Sequence, residues 1–449
     1  MPALFGTDGI RGQANRYPIT PEVALKLGKS LGHLFQAGGH GGKRVLIGKD
    51  TRLSGYMLET ALTSGLVAMG VDVLLVGPVP TPAVAHLAKS MGATAGIMLT
   101  ASHNPFDDNG IKIFGGDGFK LSDEFEERIE QLILADQTTS EHVRSDRIGK
   151  AFRIDDARGR YIEFAKSTIH SQHLDGLKVV LDCANGAAYH IAPLIFRELG
   201  ANVTPIHIEP DGYNINNGCG ALHPETVGKV VRESGADVGI AFDGDADRVI
   251  FCDRQGEVVD GDRILAMCAI DRMSRGRLAG GTLVVTSMSN LGLHDAMTAN
   301  AIRVEVTDVG DRQVIERMRL GGYTLGGEKC GHLIFMDHAT TGDGIISALQ
   351  VLALMKRRGA TVAELASCMR EYPQQISSIK VKEKKPLETL PGIQTELSAA
   401  NAALQGCGRV VLRYSGTEPK IRVLVEAREA AQVTEWIHRL TKAIHAELG

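Results

Sequence analysis

The sequence predicts an α/β protein: three similar mixed-sheet α/β domains followed by a smaller α+β C-terminal domain. Three observations carry that expectation. At 449 residues the chain has the length of about three ordinary domains. Strand, helix and strand recur with few residues between them, the pattern of right-handed βαβ units. The same triplet occurs three times in succession before the composition changes.

The chain opens on a glycine-spaced loop, Phe5-Gly-Thr-Asp-Gly-Ile-Arg-Gly12. Thr20-Pro21-Glu22 then reads as a capped helix start, with proline in the first helical position. Gly28 to Gly32 fits the Gly-x-Ser-x-Gly of a hydrolase nucleophile elbow. It lies inside the helical run 23–35 and follows no strand, so that chemistry is excluded. The first triplet is a strand at 44–48, a helix at 58–69 and a strand at 71–76, leading to the small apolar strand 95–99. The second has a strand at 177–182, a helix through Phe196, and strands at 201–206 and 237–242. The third has a strand at 282–286, a helix through Met297, and strands at 302–306 and 332–336. Polar residues 136–150 and charged residues 253–263 mark joins, and Lys380-Val-Lys-Glu-Lys-Lys-Pro386 marks a third break. The tail alternates at 409–413 and 421–425 around a turn and closes with a helix at 430–448. The expected domains are 1–150, 151–255, 256–370 and 371–449.

Composition excludes several classes. With 43% apolar residues and no apolar run long enough to span a bilayer, the chain predicts a globular protein without a membrane segment. The start Met1-Pro-Ala-Leu-Phe-Gly-Thr-Asp8 lacks the basic and apolar regions of a signal peptide, so a cytoplasmic location is expected. A net charge of -4, with signs scattered, gives no long-range attraction for nucleic acid or an anionic membrane. The seven cysteines form no Cys-x-x-Cys pair and predict reduced thiols rather than disulfides or zinc ligands. There is no Walker loop, Gly-x-Gly-x-x-Gly, His-Glu-x-x-His or basic run.

Four loops carry chemistry. Strand 95–99 breaks into Ser102-His-Asn-Pro105, presenting a serine hydroxyl at a strand end beside His103 and Asn104, with Lys112 on the next strand. Taken alone, Ser-His-Asn-Pro reads equally as a turn with a solvated serine. Asp243-Gly-Asp-Ala-Asp-Arg248 is the strongest metal signal: Asp243, Asp245 and Asp247 at alternate positions offer hard oxygen ligands to Mg²⁺. Arg248 and Arg254 stand where a calcium-binding EF-hand loop needs glycine and glutamate, so calcium sensing is excluded. Gly326-Gly-Glu-Lys-Cys-Gly-His332 frames Glu328 and His332 with glycines and suits a hydroxyl-bearing ligand, or equally a glycine turn with a packed histidine. Arg413-Tyr-Ser-Gly-Thr-Glu-Pro-Lys-Ile-Arg422 offers Ser415, Gly416 and Thr417 as an anion nest, with Arg413, Lys420 and Arg422 supplying charge. An ordinary Ser-Gly hairpin with solvent-facing arginines is the alternative there. Together the loops describe phosphoryl transfer on a phosphorylated small molecule.

In order and over nearly the whole chain, these motifs resemble those of the α-D-phosphohexomutase superfamily. Phe5–Gly12, Ser102-His-Asn-Pro105, Asn109-Gly-Ile-Lys112, Asp243–Arg248 and Arg413-x-Ser-Gly-Thr-Glu-Pro419 carry the resemblance. The Phe-Gly-Thr-Asp-Gly start and the Ser-Gly-Thr-Glu-Pro loop are similar to the branch acting on glucosamine phosphate. The resemblance implies four domains around a central cleft and reversible conversion of glucosamine 6-phosphate to glucosamine 1-phosphate, through an enzyme phosphoserine and a 1,6-bisphosphate intermediate. It implies Ser102 as the phosphorylated residue and, with Asp243, Asp245 and Asp247, as a ligand of Mg²⁺. It implies catalytic roles for Lys112, Arg11, Arg248 and His103, sugar recognition by Glu328, Cys330 and His332, and phosphate binding by Arg413, Ser415, Gly416, Thr417 and Arg422. A hexose 1,6-bisphosphate would serve as primer, a phosphosugar is the expected small-molecule partner, and a homodimer is compatible with the sequence. The same chemistry on mannose or glucose phosphate, a Mg²⁺-dependent sugar phosphatase and a silent sugar-phosphate binder are the alternatives. The family usually has serine where this chain has Cys330, and a thiol is the poorer hydrogen-bond partner.

Overall fold

The computed structural model describes residues 4–6, 8–37, 43–137, 142–170, 172–414 and 420–449, and their strands form four sheets in an α/β multi-domain fold. The first sheet contains β1 (Phe5–Gly6), β2 (Gly9–Gln13), β3 (Arg44–Lys49), β4 (Asp72–Pro78), β5 (Ala95–Leu99), β6 (Asp108–Gly115) and β7 (Ala151–Arg153), ordered β1-β2-β6-β5-β3-β4-β7. The second contains β8 (Lys178–Asp182), β9 (Asn202–Ile206), β10 (Val238–Phe242), β11 (Val249–Cys252) and β12 (Val258–Val259), ordered β12-β11-β10-β8-β9. The third contains β13 (Thr282–Thr286), β14 (Arg303–Thr307), β15 (Leu325–Gly327) and β16 (Leu333–Phe335), ordered β14-β13-β15-β16. The fourth places β19 (Lys420–Ala427) between β17 (Gln374–Lys380) and β18 (Gly408–Tyr414), all antiparallel.

The threefold pattern of the sequence is a threefold topology. Strands β3, β8 and β13 each pair in parallel with the next strand in the chain and with the one after it. The later of those, β5, β10 or β15, is followed by a loop and an antiparallel return strand, β6, β11 or β16. Every residue of β5 and β10 is buried, as expected of parallel strands covered by helices on both faces. The connection after β5, β10 or β15 therefore leaves the buried centre of its sheet.

One sequence expectation changes position. The segment 332–336 was expected to be the third-repeat counterpart of 95–99 and 237–242. That place belongs to β15, Leu325–Gly327, while Leu333–Phe335 is its antiparallel return. The physical reason is that β15 is Leu-Gly-Gly: its backbone pairs, but two of its three residues carry no side chain to register as a strand pattern. The helix expected at 58–69 runs Ser54–Ala68, and β17 and the helix Pro391–Ala403 join the tail elements expected at 409–448. The helix expected at 23–35 runs Pro21–Ala37, with Thr20 Oγ1 accepting from Val23 N at 3.4 Å.

Packing divides the chain into two compact units, Met1–Met288 with Asn300–Cys368, and Ser289–Ala299 with Met369–Gly449. In the second, Ile421, Val423 and Val425 of β19 form a core with Trp436, Ile437 and Leu440 of the final helix. Its buried Glu426 accepts from Leu291 N at 2.7 Å, a carboxylate against the N-terminus of the helix Leu291–Ala299. All seven cysteines are free thiols, with Cys183, Cys219, Cys252 and Cys268 buried.

The glycine that completed the false hydrolase pattern has a packing role. A Cβ on Gly28 would lie 2.5 Å from Leu62 O, and one on Gly65 would lie 2.3 Å from Leu25 O, so the helices Pro21–Ala37 and Ser54–Ala68 touch backbone to backbone. Gly28→Ala is expected to destabilise the fold by about 1–3 kcal/mol in urea denaturation, as an overpacked contact does. Gly159→Ala, in an exposed helix position with nothing within 4 Å of the added carbon, is expected to stabilise by about 0.5–1 kcal/mol.

Candidate active site

The loop after β5 places Ser102 in the left-handed region, φ 53°, with the residue fully buried. A buried loop must satisfy its carbonyls, and a single side chain does most of this. Arg52, itself wholly buried, donates from Nη2 to Ser102 O at 3.0 Å and Asn104 O at 2.8 Å, and from Nη1 to Asp108 O at 3.1 Å and to Pro105 O. Its Nε donates to Asp50 Oδ2 at 2.8 Å, which also accepts from Thr100 Oγ1 at 2.7 Å. Asn216, from the second repeat, adds bonds to Ser102 O at 2.9 Å and Asn104 O at 3.0 Å. Held this way, Ser102 Oγ donates to Asp243 Oδ2 at 2.6 Å and lies 3.3 Å from His103 Nδ1. Burial, with Arg248 and Arg11 nearby, pushes the His103 imidazole down to about 4, so it is neutral at neutral pH.

The loop after β10 supplies Asp243, Asp245 and Asp247, all buried. Its approach to the serine loop requires Gly244: a Cβ there would stand 2.6 Å from Ser102 O and 2.7 Å from Asn216 Nδ2. Burial and repulsion from Asp247 and Asp245 push the Asp243 carboxyl well above the usual range. Burial works in the same direction on Asp247, but Lys112 and His332 outweigh it and hold that carboxyl well below the usual range. Lys112, on β6, lies 2.9 Å from Asp245 Oδ2, 3.1 Å from Asp247 Oδ2 and 3.3 Å from Asp8 Oδ2. Burial would discharge it, but those three carboxylates keep its ammonium well above its ordinary pKa. Asp245 is also bonded by Thr81 Oγ1 at 2.6 Å. Ligand oxygens of the three aspartates lie within 4.8 Å of one another, and Asp245 Oδ1 and Asp247 Oδ1 are buried without a hydrogen-bond partner. Unsatisfied carboxylate oxygens converging on one point fit a hard divalent cation.

The loop after β15 lies against the aspartate loop. Arg248 and His332 form a β-bridge, and Val249 N donates to Gly331 O at 3.0 Å. Gly331 has φ 92°, and a Cβ there would meet Val249 O at 2.3 Å. Glu328 Oε1 accepts from Gly310 N at 3.2 Å, and the exposed Cys330 Sγ donates to Glu328 Oε2 at 3.7 Å. The buried His332 ring has Nε2 3.2 Å from Gly342 N and Nδ1 3.6 Å from Asp247 Oδ1; burial lowers its pKa, but Asp247 and Asp311 outweigh that and raise it. Arg248 donates its backbone N–H to Asp243 Oδ1 at 3.1 Å, with its Nε 3.8 Å from Asp247 Oδ1. Arg11 pairs with Asp8.

In the second unit Arg413 of β18 and Arg422 of β19 are direct cross-strand partners. Like charges directly opposite are destabilising, and an anion bound between them would reverse that. Ser415, Gly416 and Thr417, the expected nest, lie outside the described residues.

The structure thus gathers Ser102, His103, Lys112, Arg248, the three aspartates and His332 in the first unit, and pairs Arg413 with Arg422 in the second. Sequence reasoning missed Asp8, Arg52, Thr81 and Asn216. Asp8 sat inside the glycine-spaced opening motif, but the other three carried no local signal. A further donor group, Asp182, His207 and Cys219, is a turn clamp: the two Asp182 oxygens accept from Ala184 N and Gly220 N, each at 2.9 Å.

Comparison with known proteins agrees with this architecture. The chain matches the phosphoglucomutase/phosphomannomutase family in its α/β/α domain I over residues 2–140, domain II over 159–256, domain III over 260–372 and C-terminal domain over 378–443. A phosphoglucosamine mutase of Geotalea daltonii is 52% identical over 450 aligned residues, covering 100% of this chain and 99% of that protein. One of Anaeromyxobacter dehalogenans is also 52% identical, covering 99% and 98%. Among solved structures, a phosphoglucomutase/phosphomannomutase family protein of Burkholderia thailandensis superimposes with a TM-score of 0.82 at 25% identity, covering 99% of this chain and 97% of that one. The N-acetylphosphoglucosamine mutase of Aspergillus fumigatus, solved with GlcNAc-6P and magnesium, has the same fold: TM-score 0.68, 18% identity, covering 99% and 96%. Among the described residues no helix is long and apolar enough to cross a membrane.

Arg52→Met would remove the guanidinium from the serine-loop carbonyls and leave the buried Asp50 without its cation. It is expected to destabilise the protein by about 3–5 kcal/mol in denaturant titration. Arg52→Lys should recover only part of that, because an ammonium cannot reproduce the guanidinium fork.

Proposed function

The chain belongs to the phosphoglucosamine mutases of the phosphoglucomutase/phosphomannomutase family, and on that premise we propose how its residues divide the work. The enzyme is an isomerase that interconverts glucosamine 6-phosphate and glucosamine 1-phosphate, an amino-sugar step leading to UDP-N-acetylglucosamine and cell-wall precursors. The proposed phosphoryl carrier is Ser102, and the observation supporting it is the buried hydroxyl 2.6 Å from Asp243 Oδ2, in a loop tied by Arg52.

Phospho-Ser102 gives its phosphoryl group to the hydroxyl on carbon 1 of the 6-phosphate. The P–Oγ bond breaks, a P–O1 bond forms, and one proton passes from the sugar hydroxyl to the serine oxygen. The resulting 1,6-bisphosphate turns end for end and returns its carbon-6 phosphoryl to Ser102 Oγ, with the proton moving back. Lys112 is the proposed proton carrier, and neutral His103 is a hydrogen-bond partner of the serine oxygen. Arg11 and Arg248 are proposed to balance charge on the transferring group. Asp243, Asp245, Asp247 and the Ser102 side chain would hold Mg²⁺, which when bound offsets charge on that phosphoryl group. Burial of these groups keeps water, the competing acceptor, away.

Glu328, Cys330 and His332 are proposed to recognise the sugar, and Arg413, Ser415, Gly416, Thr417 and Arg422 the phosphate that is not reacting. Each would come from one of the domains 1–150, 151–255, 256–370 and 371–449, with the phosphoserine and metal loops in the first two. A hexose 1,6-bisphosphate is the proposed primer and the cytoplasm the proposed location.

Ser102→Ala is expected to abolish turnover on primed substrate; activity near that of the wild type would remove Ser102 from the mechanism. The companion measurement is kcat/KM, with Mg²⁺ and primer, for glucosamine, glucose and mannose phosphates in parallel, together with free phosphate. Glucosamine phosphate is expected to lead. A clear lead for glucose or mannose phosphate would overturn the substrate assignment, and phosphate release without isomerisation would mark a phosphatase.

A further inference from the structure

Six side chains of the first unit close a ring of alternating charge. Asp8 Oδ2 lies 3.3 Å from Lys112 Nζ, which lies 3.1 Å from Asp247 Oδ2. Asp247 Oδ1 lies 3.6 Å from His332 Nδ1, and His332 Nε2 lies 3.7 Å from Asp311 Oδ2. Lys120 completes the circuit by donating to both Asp311 Oδ2 and Asp8 Oδ1. Half of this ring contains the proton carrier, a metal aspartate and the sugar-loop histidine. The other half, Asp8, Lys120 and Asp311, has no role in the scheme above.

We infer that Lys120 and Asp311 are positioning residues, which act through Asp8 and His332 to hold Lys112 and the sugar loop in register with the aspartate loop. This rests on the roles proposed for Lys112 and His332. Lys120 is anchored by its backbone, through a β-bridge with Phe114, so its ammonium is presented from a fixed point. Its side chain is 8% exposed, against 16% for Asp311 and 22% for Asp8, so water replaces little of the bridge if the cation is lost. Asp311 opens the helix Asp311–Gly321 and follows directly on Gly310, whose N–H holds Glu328 Oε1 at 3.2 Å. One ammonium therefore steers two carboxylates. Asp8 is the third anionic partner of Lys112, and Asp311 flanks His332 and sits beside the amide that orients Glu328. Without Lys120, Asp8 and Asp311 become two partly buried carboxylates with a partner lost, and both are expected to move.

The test is steady-state kinetics and thermal denaturation of Lys120→Met, Lys120→Arg, Asp311→Asn and the Lys120→Met/Asp311→Asn double variant, with Mg²⁺, primer and glucosamine 6-phosphate. A misplacement of about 1 Å in a catalytic group lowers turnover by up to about a hundredfold. Lys120→Met and Asp311→Asn are each expected to lower kcat at least about tenfold, with KM changing less. Lys120→Arg should restore kcat to within about threefold, and the double variant should be no slower than the slower single, as coupled neighbours behave. Folded Lys120→Met with kcat within about twofold of wild type would overturn the inference, as would losses that multiply in the double variant. Should Lys120→Met fail to fold, Asp311→Asn decides: unchanged kcat overturns the inference and reduced kcat supports it. Ser102→Ala run alongside separates the two levels, because its activity tests the assignment of the carrier and not the ring.

Discussion

Three carboxylates buried on one short loop are the constraint on which the rest of the first unit depends. Two like charges about 4 Å apart repel by about 4 kcal/mol at an effective dielectric of 20, so Asp243, Asp245 and Asp247 need cations to remain charged out of water. Lys112 meets Asp245 and Asp247, the His332 ring faces Asp247, and Asp243 takes the Ser102 hydroxyl. Two oxygens still lack hydrogen-bond partners, which is the condition a divalent ion relieves. The same arrangement that makes the loop unfavourable alone is the donor set proposed above to hold a divalent metal.

Bringing those groups together depends on a repeated topology. In each repeat the strand that starts the loop lies in the interior of its sheet, beside the strand that opens the repeat, and the chain returns antiparallel. The loops of Ser102, of the aspartates and of Glu328 and His332 therefore leave equivalent places in three sheets. Contact between them needs backbones closer than side chains permit, which is why Gly244 meets the serine loop and Gly331 meets Val249 with no room for a Cβ. Arg52 does the complementary work by satisfying the carbonyls that such a buried loop would otherwise leave bare.

In the second unit the same logic operates through repulsion. Arg413 and Arg422 are directly opposed across an antiparallel pair, a like-charge arrangement that an anion between them would relieve. The core behind them, built on β19 and the last helix, holds the strands in that register regardless.

The sequence by itself determined the elements and the chemistry available. Apolar runs such as 95–99 and 238–242 are strands because burial on both faces demands it, and alternating aspartates offer hard oxygen donors by their composition alone. It did not reveal β15, because Leu-Gly-Gly pairs through backbone groups that every residue has. Nor did it reveal Arg52, Asn216, Lys120 or Asp311, polar residues in polar surroundings with no periodicity to mark them. Their importance comes from partners tens to hundreds of residues away: Arg52 lies 50 positions from Ser102, and Lys120 lies 191 from Asp311. Those pairings were decided by the tertiary structure, because hydrogen bonds and ion pairs act over a few ångströms of space and leave no trace of their partner in the order of the chain.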